Sequence, residues 1–366
     1  MAKRIIMAGG GTGGHIFPAI AIANALKKAD SSIEVLFVGA KGKMEMEKVP
    51  QAGYKIEGLD IAGFNRSSLI KNLGLPLKLV KSFLQVRGIF NRFQPDAVVG
   101  VGGYSSFPVL RYAQAKGVPS FIHESNSFAG KSNMLLGKKA TKIFVASDGM
   151  NQFFPQEKIV ITGNPVRPDI VNVTTANRED ALRFFNLRPG KKTVLVVGGS
   201  LGARSINEAI AAGLEQLLGA GLQLIWQTGK TDASKWKSLA EGKEGIWVGD
   251  FITNMQQAYA AADIVISRAG AMAIAELCLV KKPVLFVPYP FAAEDHQTVN
   301  AQHLVSKGAA LMVKDSEAKE KVLPAIIVLA GDEKKQADLK NNIAGLGVSD
   351  ADERVAGEIL KTIGRN

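Results

Sequence analysis

Twice in this chain a short apolar run breaks into glycines and resumes with helical spacing. The first instance is MAGGGTGGHIFPAIAIA, Met7 to Ala23, behind Ile5 and Ile6; the second is TVLVVGGSLGARSIN, from Thr193. Apolar Ile16, Phe17, Ile20 and Ala23 share one helical face, so the glycines form a strand-to-helix turn. Such a turn leaves the first N–H groups of the helix without partners and aims its positive dipole end beyond the strand. That is an anion site, and a chain carrying two is constrained to an architecture in which strands feed helices.

The rest of the sequence keeps to that architecture. RIIMA, IEVLFVG, DAVVGV, PSFIHE, KIFVAS and KIVITG alternate with helical patterns in the first half. After TGNPVRPD, where Pro165 and Pro168 break regular structure, TVLVVGG, LQLIW, IWVGD, DIVIS, PVLFVP and AALMVK form a second series. Alternation of this kind implies an α/β fold with parallel sheets covered on both faces. The 366 residues suit two domains, each with its own core. Ligands in such sheets bind beyond the carboxyl ends of the strands, so two domains facing each other could grip one ligand from both sides.

Other classes are excluded more simply. Gly9, Gly11 and Gly14 fit the G-x-G-x-x-G spacing of dinucleotide folds, which needs an acid at the end of the second strand for the ribose. That strand ends Phe37, Val38, Gly39 and its only acid, Glu34, sits near its start, so a nicotinamide oxidoreductase loses its second contact. No apolar run approaches a membrane span, and the basic start reaches glycines before a signal peptide could develop, which predicts a protein that stays in the cytosol. The single Cys278, in AIAELCLV, reads as a small core residue. One Cys and four His offer no metal spacing, and the D-x-D pair Asp350 and Asp352 lies where acids complement a helix dipole, so neither metal nor cofactor is expected.

Charge is unevenly placed: residues 1–165 carry 21 Lys and Arg against 10 acids, residues 166–366 carry 24 against 23. Part of the excess lies in Ile61 to Phe93, where Arg66, Lys71, Lys78, Lys81, Arg87 and Arg92 alternate with leucines that include Leu69 and Leu75, without an acid. A basic amphipathic segment of this kind suits anionic lipid headgroups; the alternative is a core-packed helix with a solvated basic face. No nucleic-acid motif is present.

Several residues carry chemistry on their own evidence. His15 follows the glycines at a helix head, where the positive dipole end disfavours imidazolium, so a neutral ring there can serve as general base; His123, closing the strand PSFIHE beside Glu124 and Asn126, is the reserve. Glu276, early in the helix after DIVIS, can accept two hydrogen bonds from a ribose diol or face solvent. Ser200 in the second glycine turn can donate to a phosphate or cap the helix. Arg167 can stack on a base or solvate a loop. Gln297 and Asn300, at i and i+3, place two amides on one side of a helix, which suits sugar hydroxyls.

The stretches GGGTGGHIFPAIAIA, GVGGYSSFPV, HESN, TGNPVR, GGSLGARSIN, SRAGAMAIAEL and FAAEDHQTVNA occur in an order and at separations similar to those of the MurG family, the peptidoglycan N-acetylglucosamine transferases of glycosyltransferase family 28. The resemblance spans nearly the whole chain. It implies the GT-B fold, two Rossmann-like doubly wound parallel-sheet domains facing across a cleft. The first, residues 1–163, would meet acceptor and membrane, with a C-terminal helix of about 350–366 packed back on it. The second, residues 164–349, would bind the donor, UDP-N-acetylglucosamine (UDP-GlcNAc). An inverting transfer to the MurNAc 4-hydroxyl of lipid I would give lipid II at the cytoplasmic face of the plasma membrane, beside other wall-synthesis proteins and in support of cell shape and division. A UDP-GlcNAc 2-epimerase, a transferase to another lipid, or a non-catalytic sugar-nucleotide sensor are the rival readings.

By the same resemblance, donor contacts fall on Thr12, Gly13, Gly14 and Asn126, on Arg167 against the uracil, on Ser200, and on the backbone of Ile252, which would read the uracil edge. Ala271, Met272, Ala273, Ile274 and Ala275 lead to Glu276, and Gln297 would hold the sugar with His296 beside it. Phe251, Met255, Arg268 and Asn300 are further contacts. Gly102, Gly103, Tyr104 and Ser105 would meet the acceptor, and Leu69, Lys71, Leu75, Lys78 and Lys81 the membrane. Ser125 stands where the family more often has glutamine, and Ala273 and Ala275 where hydroxyl residues are common.

Overall fold

A computed structural model describes residues 2–63, 74–171, 176–199 and 201–364, apart from the side chains of Pro168, Asp169 and Ala293. Arg66, Leu69, Lys71 and Ser200 therefore lie outside the described residues. The chain divides into two compact units, residues 1–167 with 350–366, and residues 168–349.

In the first unit, strands β1 (Arg4–Ala8), β2 (Glu34–Ala40), β3 (Lys55–Leu59), β4 (Ala97–Gly100), β5 (Ser120–Glu124), β6 (Lys142–Val145) and β7 (Ile159–Ile161) form one parallel sheet ordered β3-β2-β1-β4-β5-β6-β7. Met7 is registered with Phe37 on one side and Val99 on the other. β1 is apolar at every core position because helices cover both faces. Helices α1 (Gly13–Ala29) and α2 (Glu45–Gln51) lie over Ile5, Met7, Phe121 and Phe144; α3 (Leu75–Phe93), α4 (Ser106–Ala115) and α5 (Lys131–Gly137) lie over Ile6, Ala8, Ile122 and Ile143.

The second unit opens with α6 (Pro168–Val171) and α7 (Arg178–Phe184). It continues through β8 (Thr193–Val197), α8 (Arg204–Ala212), α9 (Leu214–Gly219), β9 (Gln223–Gln227), α10 (Ala233–Ala240), β10 (Ile246–Gly249), α11 (Met255–Ala261) and β11 (Ile264–Ser267). There follow α12 (Ala271–Val280), β12 (Val284–Phe286), α13 (His296–Ser306), β13 (Leu311–Met312), α14 (Ala318–Gly331) and α15 (Glu333–Ala344). Its strands are again parallel, ordered β10-β9-β8-β11-β12-β13.

The last helix, α16 (Ala351–Ile363), returns to the first unit, burying Val355, Ile359 and Ile363 with Ile22 and Leu26 of α1. Lys28 pairs with Glu353 at 2.8 Å and Lys142 pairs with Glu358. Strand order reverses between β1 and β4 in one sheet and between β8 and β11 in the other, and such a reversal opens a crevice at the carboxyl ends of the strands. Each glycine turn borders one of those crevices. Strand β3, KIEGL, is absent from the sequence reading because an edge strand of mixed polarity has no apolar run to reveal it.

Candidate active site

The first crevice is built by two glycine loops in backbone contact. After β1, Gly9, Gly10 and Gly11 take φ values of 148°, 151° and 88°; after β4, Gly102 and Gly103 take 98° and 83°. The Gly10 N–H donates to the Gly102 carbonyl at 3.3 Å, and a Cβ on Gly103 would stand 2.5 Å from the Gly10 oxygen. Only glycine permits so close an approach. Gly102 and Gly103, read as acceptor residues, thus have a structural duty as well.

His15, half-buried in the first turn of α1, is held by this arrangement. Its Nδ1 lies 3.0 Å from the Gly10 carbonyl and 3.4 Å from Thr12 Oγ1. A carbonyl can only accept, so Nδ1 is the donor here, and in the neutral ring Nε2 is then the acceptor. The ring lies against Gly102, where a Cβ would sit 2.8 Å from Nε2. Thr12 is the extended N-cap without a side-chain cap bond, and Gly13 and Gly14 head the helix, where N–H groups lack an intrahelical acceptor.

Beneath this loop lies Glu45, which sequence reasoning missed. It is 1% exposed, and its carboxylate accepts the N–H groups of Gly11 at 2.8 Å and Ala40 at 2.9 Å. The Gly11 N–H is therefore spent on an internal acid. Nearby, burial followed by the Glu45 charge raises the Tyr104 phenol, and Ser105 is buried.

His123 stands elsewhere in kind. It is fully buried, and desolvation pushes its imidazole down to about 4. Its Nδ1 lies 3.4 Å from Ser125 Oγ, and Nε2 has no hydrogen-bond partner. As placed, it is a neutral ring with no nitrogen exposed to a substrate. Glu124 organises the adjoining loop: Oε1 accepts from the Asn126 N–H at 3.1 Å and side chain at 3.3 Å, Oε2 from the Gly130 N–H at 3.1 Å and Asn133 at 2.8 Å. Asn164 donates to the Ser125 carbonyl at 2.9 Å, and Arg167, half-buried, closes this unit.

In the second unit the glycine turn after β8 packs on the turn after β9. A Cβ on Gly202 would meet the Thr228 carbonyl at 2.2 Å, and that carbonyl is fixed by Asn207 Nδ2 at 2.8 Å. Asn207 in turn accepts from the Trp226 indole at 2.9 Å. The Ile252 N–H donates to Gln227 Oε1 at 3.1 Å. Of the backbone expected to read a uracil edge, the Ile252 N–H is thus already spent inside the unit. Its side chain is 2% exposed, Met255 is core, and Phe251 beside them is 51% exposed, a ring face available for stacking.

α12 begins after Gly270, an extended N-cap with no side-chain cap, so the amides of Ala271, Met272 and Ala273 head the helix, ahead of Ile274 and Ala275. One and a half turns on, half-buried Glu276 accepts the Tyr259 hydroxyl at 3.1 Å, which orients the carboxylate. Gln297 Oε1 accepts the Tyr289 N–H at 3.0 Å, and buried Asn300 donates to the Ala269 carbonyl at 3.3 Å. These two amides tie α13, which begins at His296, to the loops after β12 and β11. Arg268 is likewise committed: it donates to the carbonyls of Val287 at 2.9 Å and Pro288 at 3.1 Å and pairs with Asp315. Cys278 is buried, with its thiol pushed up to about 12 by desolvation, as befits an inert core residue. Among the described residues no three His, Cys, Asp or Glu gather.

Signals for the missed residues differ. Gln227 closes an apolar strand, LQLIWQ, as His123 does, and that position at the ligand-bearing edge was a readable cue. Glu45 lies in no motif, and Tyr259 is one aromatic in an alanine-rich helix.

Comparison with known proteins places this geometry. Residues 5–145 match the glycosyltransferase family 28 N-terminal domain and residues 193–355 its C-terminal domain. A Parabacteroides distasonis protein named UDP-N-acetylglucosamine--N-acetylmuramyl-(pentapeptide) pyrophosphoryl-undecaprenol N-acetylglucosamine transferase is 52% identical over 363 residues, 98% of each chain. A Phocaeicola vulgatus protein of the same name is 51% identical, covering 98% of this chain and 96% of its own. Among solved structures, Acinetobacter baumannii MurG superposes with a TM-score of 0.79 at 29% identity, over 98% of this chain and 99% of that one. With both domain types matched in order and relatives alike along nearly their full length, the chain belongs to glycosyltransferase family 28.

Proposed function

We propose that the protein transfers N-acetylglucosamine from UDP-GlcNAc to the MurNAc 4-hydroxyl of lipid I, with inversion, to give lipid II. The observation that carries this reading is His15, with Nδ1 held by the Gly10 carbonyl and Nε2 left as an acceptor at the anion-receptive head of α1. In one displacement the acceptor hydroxyl passes its proton to Nε2, its oxygen bonds to the anomeric carbon, and the bond from that carbon to the UDP oxygen breaks. Amides heading α12 and the turn after β8 receive the charge of the departing diphosphate. Glu276, steadied by Tyr259, takes the ribose diol, and Gln297 offers its amide NH2 to the sugar. In this reading those amides take the part a divalent ion plays in D-x-D transferases; Asp350 instead pairs with Arg354 at 2.9 Å.

A lipid-borne acceptor calls for a membrane surface, and one face of the first unit supports it. Helices α3, α4 and α5 carry Lys78, Lys81, Arg87, Arg92, Arg111 and Lys131 and no acid, with Leu77, Val80, Leu84 and Leu135 exposed by 77%, 61%, 64% and 55%. No helix among the described residues is long and apolar enough to cross a membrane. The reading is therefore a peripheral enzyme on the anionic cytoplasmic leaflet, each free cation contributing about 1 kcal/mol near the surface.

The test is UDP release with and without a short-chain lipid I analogue, in wild type and His15→Ala. Expected are acceptor-dependent release, a disaccharide-lipid product, indifference to EDTA, and a kcat lowered about 10²- to 10⁴-fold in the variant. Release without acceptor would mark an epimerase or hydrolase, and donor binding without turnover a sensor.

A further inference from the structure

β9 ends at Gln227, registered with Val197 at the end of β8 and Gly249 at the end of β10. The residue is 3% exposed, and its carboxamide is used at both ends: Nε2 donates to the Gly199 carbonyl at 3.1 Å, and Oε1 accepts the Ile252 N–H at 3.1 Å. Gly199 belongs to the turn that would cradle a diphosphate, and Ile252 to the loop that would read a base. One side chain therefore spans two loops separated by 53 residues of chain, in a place too dry for water to substitute.

We infer that Gln227 is a positioning residue that couples base recognition to diphosphate binding in the second unit. It touches neither uracil nor phosphate; it sets the spacing of the two backbones that do. Glutamine is required because the bridge needs one donor and one acceptor arm. An ionised glutamate has no proton for the Gly199 carbonyl, and a methionine of similar length has neither arm. The inference rests on the nucleotide reading of this unit given above.

The experiment titrates the full chain with UDP and with uridine, which lacks the diphosphate, in wild type, Gln227→Met and Gln227→Glu. Gln227→Met should weaken both ligands, UDP by about tenfold or more. Gln227→Glu keeps the arm to Ile252 and, when ionised, loses the arm to Gly199, so uridine should stay within about threefold of wild type; its carboxylate also repels a diphosphate, so its UDP affinity falls in any case and does not decide. Both variants should raise KM for the donor. Wild-type UDP affinity in Gln227→Met overturns the coupling, as does a loss of uridine affinity in Gln227→Glu as large as that in Gln227→Met. Should Gln227→Met fail to fold, a loss of uridine affinity of about tenfold in Gln227→Glu overturns it alone. A wild-type chain that binds neither ligand overturns the nucleotide reading and this inference with it.

Discussion

The two glycine loops share one design and are braced by opposite means. Under the loop after β1 sits a carboxylate, Glu45, which takes the Gly11 N–H for itself. Under the loop after β8 the braces are neutral: the Gln227 carboxamide on the Gly199 carbonyl, and the Thr228 carbonyl, fixed by Asn207, against Gly202. A buried acid consumes an amide and lowers the local potential, so it weakens a loop for anions; neutral amides add no charge, although the Gly202 N–H in the second loop is spent on the Gly199 carbonyl at 3.1 Å. The difference teaches that a strand–glycine–helix turn is an anion site only as good as what lies beneath it. It also assigns the donor diphosphate, within the proposed reading, to the second unit.

The contrast can be strained first at its glycines. Gly202→Ala puts a Cβ 2.2 Å from the Thr228 carbonyl at a φ of 87°, whereas Gly11→Ala, at a φ of 88°, meets nothing within 4 Å. The first should cost about 3–5 kcal/mol and abolish UDP binding, the second about 1 kcal/mol from backbone strain. Thermal unfolding beside UDP titration reads both, and equal losses would dissolve the distinction between collision and strain.

Buried titratable groups near the first crevice make a second handle. His123 is lowered from 6.5 to about 4, so the unfolded chain takes up a proton that the folded chain refuses. Stability is full above pH 6.5 and falls as pH drops toward 4, by about 3 kcal/mol in all. Urea midpoints across that window should fall less steeply in His123→Leu. Parallel slopes would show that other groups govern the acid limb.

Glu45→Gln tests the brace itself. It leaves one acceptor oxygen for two N–H groups and should lower stability by about 1–2 kcal/mol, with UDP affinity unchanged. A loss of UDP affinity equal to that of Gln227→Met would erase the division of labour between loops.

Smallest is the surface difference. Lys78 is exposed, but Lys81 already pairs with Asp60 at 3.0 Å, as Arg92 does with Glu57 at 2.7 Å. Co-sedimentation with anionic vesicles should weaken by about 1 kcal/mol in Lys78→Ala and by less in Lys81→Ala. A larger effect at Lys81 would show that lipid breaks that pair.

Strand identity was legible wherever the residues formed a short apolar run, which burial on both faces demands of inner strands such as β1, β4 and β5 and which the edge strands β7, β10 and β13 also carry, whereas β3 mixes polar and apolar residues and could not be read. His15 could be singled out as a candidate because a histidine behind a glycine turn stands at a helix head. Its hold on Gly10 was not, since that bond depends on Gly102 and Gly103 allowing a second loop to close over the first. Ile252 could be singled out for its backbone, yet only the fold shows its N–H spent on Gln227. Arg268 could be noted as a further donor contact, and only the fold shows it spent on Asp315 and two carbonyls.

Periodicity, turn chemistry and helix heads are written within about ten residues of chain, so the sequence alone determined two α/β units, two strand–glycine–helix turns and the histidine beside one of them. The braces join partners far apart: Glu45 and Gly11 are 34 residues distant, Gln227 lies 28 from Gly199 and 25 from Ile252. Such pairs meet only once the sheet order brings strand ends together. Tertiary structure alone therefore decided which N–H groups remain for a ligand, because burial commits every polar group to whatever partner the fold places within reach.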